Sequence, residues 1–331
     1  MIPGTALTLR DLAMTFGRNG VPDTLINYLS QSNSMIQDML WKPSNKETSH
    51  VFREVAGLPK AHHRSLYEGV VAQRSTQAPR EETCSLYEAV SELDKELVNL
   101  ASNKEMFRAE EATAFIEGMT NDVARDLWYG SRAGDPRNVE GLTERYANLT
   151  GPASRQIIDA GGVANDNASI WLVGWGDRSL YGIYPKNTRA GLEHDASGVI
   201  DLIDPENHGT FQGYRDRFKW RAGLALLDYR QSGRICNIDV PALATFGTAA
   251  DTSANLLLLL NRLTNRIHSL SSARFSIYMN RDVKEAYENQ LLQKQNLALT
   301  IDAATGAITT SYKGIPIKTD DNLLSTEERV V

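Results

Sequence analysis

The chain has 331 residues, 41% hydrophobic and 23% charged, which is ordinary for a soluble globular protein of about two domains. This composition excludes a disordered chain, a collagen-like fibre and a disulfide scaffold. The net charge of −6 does not supply the large basic footprint of a sequence-independent nucleic-acid binder, which leaves only local basic patches for such contacts. Residues 1–80 carry a net charge of +3 and residues 81–331 carry −9. This asymmetry indicates either a basic arm that lies on acidic surface or a statistical fluctuation.

Cysteine usage and the chain ends favour a reducing compartment. Cys84 and Cys236 are the only cysteines, and one separated pair gives no disulfide framework. The first residues lack the basic region and long apolar stretch of a secretory signal. The longest apolar run, at 256–260, is far shorter than the roughly 20 residues that span a bilayer. We therefore expect no contact with a membrane.

The N-terminal quarter is predicted to hold an arm at 1–47 and an extended hairpin at 48–80. Strands are predicted at 50–55 and 66–74, around a tip rich in glycine, proline and histidine. These strands carry many charges, and an isolated hairpin is marginally stable in water. The hairpin is therefore expected to lie on its own domain or to reach another subunit. The candidate inter-subunit contact residues are Arg53, Glu54, His62, His63, Arg64, Glu68 and Arg74.

Two helices are predicted next, at 87–100 and 104–129. The second has an apolar stripe with steps of three and four residues over about seven turns, which is typical of an amphipathic helix. Asn103 is expected to cap its start and Gly130 to end it. The stripe consists of Phe107, Ala112, Phe115, Ile116, Met119, Val123 and Leu127.

The middle of the chain is predicted to be loop and antiparallel strands. Residues 130–168 are rich in Gly, Asn, Asp and Pro, which favours loop. Strands are predicted at 169–175 and 180–184. Residues 211–239 alternate polar and apolar side chains, which favours a long bent hairpin or meander.

The last quarter mixes helix and strand. A strong helix is predicted at 251–270, with Leu260 and Leu263 on its apolar face. A strand at 275–279 precedes a helix capped by Asn280. A hairpin turning at 302–306 and a strand beginning at Ile315 end the pattern. The fold class is therefore α+β.

No catalytic, cofactor-binding or metal site is predicted. The sequence has no phosphate-binding glycine loop, nucleophile elbow, metalloprotease helix or Cys-x-x-Cys pair. His62 and His63 are adjacent, so on a strand their side chains diverge and make a poor metal pair. Trp171 and Trp175 fit core packing better than a sugar platform. The enzymatic alternative is a carbohydrate-active hydrolase with an acidic pair near these two tryptophans.

Four segments together resemble the major capsid proteins of tailed bacteriophages, which have the Hong Kong 97-type capsid fold. The polar hairpin with the tip GLPKAHHR precedes a long helix, as the family's extended loop precedes its spine helix. The family's glycine-and-proline loop is similar to DLWYGSRAGDPRNVEGLTERYA, which follows that helix. Its peripheral strands are similar to GTFQGYRDRFKWRAGLALLDYR. Its axial domain is similar to ARFSIYMNRDVKEAYENQ and YKGIPIKTDDNLL.

The resemblance implies a domain division in which the peripheral strands precede most axial elements, an order rearranged relative to the usual family. The implied segments are an N-terminal arm at 1–47, an extended hairpin loop at 48–80, the spine helix and the start of the peripheral domain at 81–150, part of the axial domain at 151–198, peripheral strands at 199–240, and the axial domain with a C-terminal tail at 241–331.

The resemblance also implies a structural, non-enzymatic role without a cofactor. The chain is expected to self-assemble into an icosahedral shell around a double-stranded DNA phage genome. The expected partners are further copies of the chain, portal, scaffold and cement proteins, and DNA bound without sequence specificity. The expected location is the virion capsid, assembled in the cytoplasm of the host bacterium. Another structural component of the same particle is the non-enzymatic alternative.

Overall fold

The computed structural model describes residues 33–101, 103–151, 153–204, 208–246, 252–293, 299–301 and 308–331. Most of the predicted N-terminal arm, the tip of the predicted turn at 302–306 and the start of the helix predicted at 251–270 lie outside these residues. The helices are α1 (Ser34–Asp38), α2 (Lys95–Leu100), α3 (Lys104–Tyr129), α4 (Leu142–Arg145), α5 (Val240–Leu243), α6 (Leu256–Arg266) and α7 (Arg281–Gln293).

The strands occur in runs that are separated by groups of helices, which is typical of an α+β fold. They are β1 (Trp41–Pro43), β2 (Ser49–Gly57), β3 (Thr76–Thr83), β4 (Ser85–Asp94), β5 (Ile157–Asp159), β6 (Asn167–Trp175), β7 (Leu180–Tyr184), β8 (Leu192–Ile203), β9 (Thr210–Leu226), β10 (Ser232–Asp239), β11 (Arg274–Met279), β12 (Leu299–Ile301), β13 (Ile308–Tyr312) and β14 (Ile315–Thr319).

Among the described residues, twelve strands form one sheet and two form a separate ribbon. The main sheet runs β12-β13-β14-β11-β6-β7-β9-β4, with β1 beside β7, β8 beside β9, and β10 between β5 and β6. The ribbon consists of β2 and β3 alone. The hairpin strands therefore share no hydrogen-bonded ladder with the body.

Helix α3 confirms the predicted amphipathic helix from its first residue to its last. The Asn103 side chain accepts a hydrogen bond from the backbone N–H of Met106, and Gly130 closes the other end. A side chain at Gly130 would meet two backbone oxygens 2.5 Å away, so only glycine fits there. Met119 and Val123 face inward as predicted, and the half-buried Phe115 stacks on Phe218 at a ring distance of 5.8 Å.

Strands β4, β9 and β8 form a layer with α3 on one face and charged side chains on the other. β9 has 17 residues and pairs with β4 and β8. On the outer face, cross-strand ion pairs join the strands, which is the usual solution for a solvated antiparallel sheet. These pairs are Arg215–Glu92 at 2.7 Å, Arg217–Glu88 at 3.2 Å and Arg221–Glu193 at 2.8 Å.

Strand β6 lies at the centre of the body, and all nine of its residues are buried. Because side chains alternate along a strand, Trp171 and Val173 contribute to the core under α3, while Ile170 and Leu172 pack in a second core with α6 and α7. Leu260 of α6 is fully buried in this second core, as predicted. The Asn280 side chain caps α7 through the backbone N–H of Val283, also as predicted.

Three predictions about elements were wrong. Residues 66–74 are not a strand, because β2 pairs instead with residues 76–83. The helix predicted at 87–100 is mostly strand β4, and only Lys95–Leu100 is helical. Residues 211–239 are not one hairpin, because β9 pairs with β4, β7 and β8, whereas a turn at Tyr229–Gln231 directs β10 to β5 and β6.

Candidate inter-subunit contact site

The β2–β3 ribbon and the loop that joins its strands extend outside the body. The two strands pair antiparallel from Ser49 with Thr83 to Gly57 with Thr76. All 24 residues from 58 to 81 are exposed. A two-stranded ribbon without a covered face is marginally stable in water. Its order therefore depends on contacts at its base or with another molecule.

The loop at residues 58–75, called the tip here, has 18 residues and contains no strand or helix. Structureless loops longer than about 12–15 residues are usually functional or disordered. Its own polar contacts are few and local. The backbone N–H of Lys60 donates to the Gln73 side chain at 2.8 Å, and the N–H of Ser65 donates to the Glu68 carboxylate at 2.9 Å.

The tip exposes large apolar side chains that no described part of the chain covers. Leu66 is 90% exposed, Val71 is 82% exposed, and the Tyr67 side chain is fully exposed on a backbone with a φ of 69°. Because most of these residues are close together in the sequence and exposed, the tip is a candidate binding surface. The apolar residues of the tip are Leu58, Leu66, Tyr67, Val70 and Val71.

Sequence reasoning emphasised the charges of this region and missed its apolar character. The sequence does indicate this apolar character. Four apolar residues, Leu66, Tyr67, Val70 and Val71, lie in the six-residue segment 66–71, which also contains Gly69. The pattern predicts a strand over this run, in a hairpin with little apolar surface to bury. In the structure it has no partner strand, so the same side chains face solvent.

The predicted contact residues divide into two groups. Glu54 lies 3.5 Å from Arg80 across the ribbon, and His62 hydrogen bonds to Gln73. With Glu68 bonded to Ser65, these three side chains are at least partly satisfied within the hairpin. The second group consists of four exposed residues, Arg53, His63, Arg64 and Arg74. The tip itself carries three basic side chains and one acidic one.

The base of the ribbon touches the body through His50. Its Nε2 lies 2.9 Å from the Tyr181 hydroxyl, and the two rings meet edge to face at 5.7 Å. Burial and the positive charge of Lys42 lower the pKa of His50, while Glu82 opposes them. Burial raises the pKa of the neighbouring Cys84 thiol to about 12. Cys84 is therefore a poor nucleophile, and it forms no disulfide with Cys236.

Within the described residues, the structure gives no support to an active site at Trp171 and Trp175. Both side chains are at least 97% buried, so neither offers a platform for a sugar. Trp171 packs edge to face on Tyr146, and the Trp175 indole donates a 2.8 Å hydrogen bond to Tyr278. The described part of the chain has no cluster of three metal-ligating side chains and no helix that could cross a membrane.

Comparison of the sequence with models of known protein families identifies the family of this chain. Residues 17–331 match the family model described as major capsid protein GP7. The chain belongs to this family. Its expected role as a structural, non-enzymatic capsid subunit is thereby confirmed, and the hydrolase alternative is not supported. No curated protein matches the chain by sequence.

Three solved structures are similar to this chain to different degrees. The capsid structure of bacteriophage Epsilon15 is 28% identical, with a TM-score of 0.77 over 100% of this chain and 99% of that chain. The SrpI encapsulin complex of Synechococcus elongatus is 15% identical, with a TM-score of 0.48 over 70% of this chain and 97% of that chain. The capsid of bacteriophage JBD30 is 10% identical, with a TM-score of 0.48 over 89% and 93%.

Proposed function

We propose that this capsid subunit builds a closed icosahedral shell around a double-stranded DNA phage genome by docking its hairpin tip on a neighbouring copy. The exposed apolar group of the tip carries this proposal. Five large apolar side chains stand in solvent on a ribbon that has no core of its own. Burying a large aliphatic or aromatic side chain contributes about 1.5–3 kcal/mol, so a neighbour that covers even part of the tip stabilises the contact substantially.

Charge complementarity supports the same partner. The basic side chains Arg53, Arg64 and Arg74 are exposed on the hairpin, whereas residues 81–331 carry a net charge of −9. Each exposed pair contributes only about 0–1 kcal/mol, and salt screens it. These charges therefore orient the approach of the hairpin, and the apolar side chains supply most of the free energy.

The geometry of the contact suits a shell. A protruding hairpin that docks on a different surface of its neighbour makes a head-to-tail contact, which generates closed rings when the rotation closes. The same contact recurs at every subunit, so each one can be individually weak. A weaker contact also allows misplaced subunits to leave during assembly.

We assign the structural units as follows. Helix α3 with β4, β8 and β9 corresponds to the peripheral domain. Strands β6, β10, β11 and β14 with α6 and α7 correspond to the axial domain. Because β8 (Leu192–Ile203) pairs along its length with β9, the boundary expected at residue 198 is better placed before this strand.

The remaining partners follow from the role. A shell that encloses a genome needs a portal for its entry, and scaffold and cement proteins commonly guide or reinforce such shells. The net charge of −6 is consistent with DNA that is enclosed without sequence-specific contacts. Free cysteine thiols are consistent with assembly in the cytoplasm of the host.

The test combines three substitutions in the tip, Leu66→Ser, Tyr67→Ser and Val71→Ser. The control combines Leu100→Ser and Val163→Ser, which are 61% and 70% exposed on the body. Sedimentation and negative-stain images of each expressed protein report assembly, and thermal melting reports folding. The tip variant is expected to melt like the wild type but to remain unassembled, while the control assembles. Shells of normal size from the tip variant, or rings or tubes from the wild type, would contradict the proposal.

A further inference from the structure

The direction of the hairpin is decided where β3 meets β4. These strands follow each other with only Cys84 between them. β4 pairs with β9 in the main sheet, whereas β3 pairs only with β2. The backbone of β9 lies directly against this junction, since a side chain at Gly223 would meet the Thr83 carbonyl oxygen at 2.7 Å and Cys84 Cα at 3.1 Å. Small changes at the junction therefore change the direction of the whole ribbon.

Glu82 is the single buried residue of β3. Its carboxylate accepts two hydrogen bonds from the Arg145 guanidinium, at 2.7 and 2.9 Å. The side chains of Glu82 and Arg145 are only 5% and 4% exposed. A charged pair so deeply buried is uncommon in a strand whose other residues face solvent.

Arg145 connects this carboxylate to two other parts of the body. It ends α4, and its guanidinium also donates to the carbonyl oxygen of Leu224 in β9 at 3.0 Å and to that of Glu140 at 3.1 Å. The hairpin strand, the main sheet and the loop before α4 are thus joined through one planar group. On the other strand of the ribbon, the hydrogen bond between His50 and Tyr181 attaches the base of β2 to the body.

A buried ion pair of this kind is weak evidence for net stability but strong evidence for fixed geometry. Desolvation of both charges offsets much of their attraction. The planar fork of arginine, however, matches a carboxylate in one orientation only. A strand of nine residues is about 27 Å long, so a tilt of roughly 10° at its base displaces the tip by about 5 Å. Such a displacement exceeds the tolerance of a packed apolar contact.

We infer that the Glu82–Arg145 pair is a positioning device that fixes the angle at which the hairpin leaves the body, so that each free subunit presents its tip ready to dock. The value of this angle for assembly rests on the proposed function of the hairpin. The positioning itself is a property of the isolated subunit and can be measured without assembly. Both residues act through the ribbon and do not touch the neighbouring copy in this account.

The test measures the hairpin angle with two spin labels. Gln77→Cys places one label on β3, and Arg262→Cys places the other on α6, both at exposed positions. The native Cys84 thiol has a raised pKa and Cys236 is fully buried, so labelling at neutral pH favours the introduced sites. Pulsed electron-electron distance measurements on unassembled subunits then compare Glu82→Gln with a matched control. The control is Glu327→Gln, which breaks the equally buried Arg234–Glu327 pair elsewhere in the body.

Gln77 lies five residues, or about 17 Å, from Glu82, so a 10° tilt displaces its label by about 3 Å. We expect Glu82→Gln to broaden or shift the label distance by about 3 Å or more, and Glu327→Gln to leave it unchanged. Arg145→Lys keeps the charge but loses the fork, so it provides a milder variant if Glu82→Gln folds poorly, and it is expected to broaden the distance less. An unchanged distance in both hairpin variants would overturn the inference, as would equal broadening in the control. If the distance broadens but shells still form normally, the pair positions the hairpin but assembly does not need a fixed angle. Failure of docking itself is shown separately, by normal shells from the tip variant.

Discussion

The carboxylate of Asp38 accepts a 2.5 Å hydrogen bond from the hydroxyl of Tyr278, across 240 residues of sequence. Lys318 lies 2.7 Å from the same carboxylate, and Arg274 also pairs with it. Burial alone would raise the pKa of Asp38, but the hydrogen bonds from Lys318 and Tyr278 and the two positive charges together lower it. This cluster ties the segment before β1 to strands β11 and β14.

Replacing Asp38 should destabilise the subunit strongly. Asp38→Ala removes the acceptor of the buried Tyr278 hydroxyl, and a buried polar group left unsatisfied costs about 1–3 kcal/mol. Lys318 and Arg274 are 33% and 66% exposed, so water replaces much of the interaction that they lose. Because the folded-state pKa is lowered, this stabilisation is present above the unfolded pKa near 4 and is lost as pH falls through the folded value. Denaturant unfolding at neutral and acidic pH measures both effects. Asp135→Ala, which removes only an exposed pair with Arg137, should change stability far less because solvent screens that pair. Equal losses in the two variants would contradict the assignment.

Helix α6 offers a test of the second core. Leu260 is fully buried there, whereas Leu258 on the same helix is 46% exposed. Leu260→Ala should lower the free energy of unfolding by about 2–5 kcal/mol, as truncation of a buried leucine does. Leu258→Ala removes the same atoms from a half-exposed site and should cost much less. The thermal midpoint of the unassembled subunit is the measurement, and a Leu260→Ala midpoint equal to that of the wild type would remove α6 from the core.

Two substitutions on α3 test its orientation. Phe115→Asp inserts a charge between the helix and Phe218, and it should prevent folding.

Burial raises the pKa of Glu111, so its charged form is disfavoured in the folded state and lowers stability above that pKa. Glu111→Gln should therefore leave stability at neutral pH unchanged or higher by up to about 0.5 kcal/mol, with a smaller gain in acid. Soluble yield and pH-dependent melting report both effects. Soluble, assembling Phe115→Asp protein would show that the helix is rotated from the orientation described.

Local patterns predicted the long helix and the central strands because one physical signal decided each of them. α3 has an uninterrupted apolar stripe between Asn103 and Gly130, and β11 alternates before a capping asparagine. β4 was missed although its buried Ser91 and Leu93 alternate with exposed Glu92 and Asp94. Its glutamates favour a helix locally, and pairing with β9 overrides that preference.

The hairpin was predicted in place, but the apolar character of its tip was not. Residues 48–80 do form a hairpin loop, and four of the seven predicted contact residues are exposed without a role that we assign inside the hairpin. The second strand was placed about ten residues early, because the apolar run at the tip resembles a strand. The pair of Glu82 and Arg145 had no local signal, since 63 residues separate the two and only the folded sheet brings them together.

We expect the tip to mediate assembly and not to be needed for folding. The most direct measurement is sedimentation of the full chain in which residues 58–75 are replaced by a short Gly-Ser turn, together with its melting curve. The replacement preserves β2, β3 and the contacts of Glu82 and His50 with the body. We predict that this variant is a folded subunit that melts cooperatively near the wild-type midpoint and sediments only as small species. Shells of normal size and yield from this protein would contradict it.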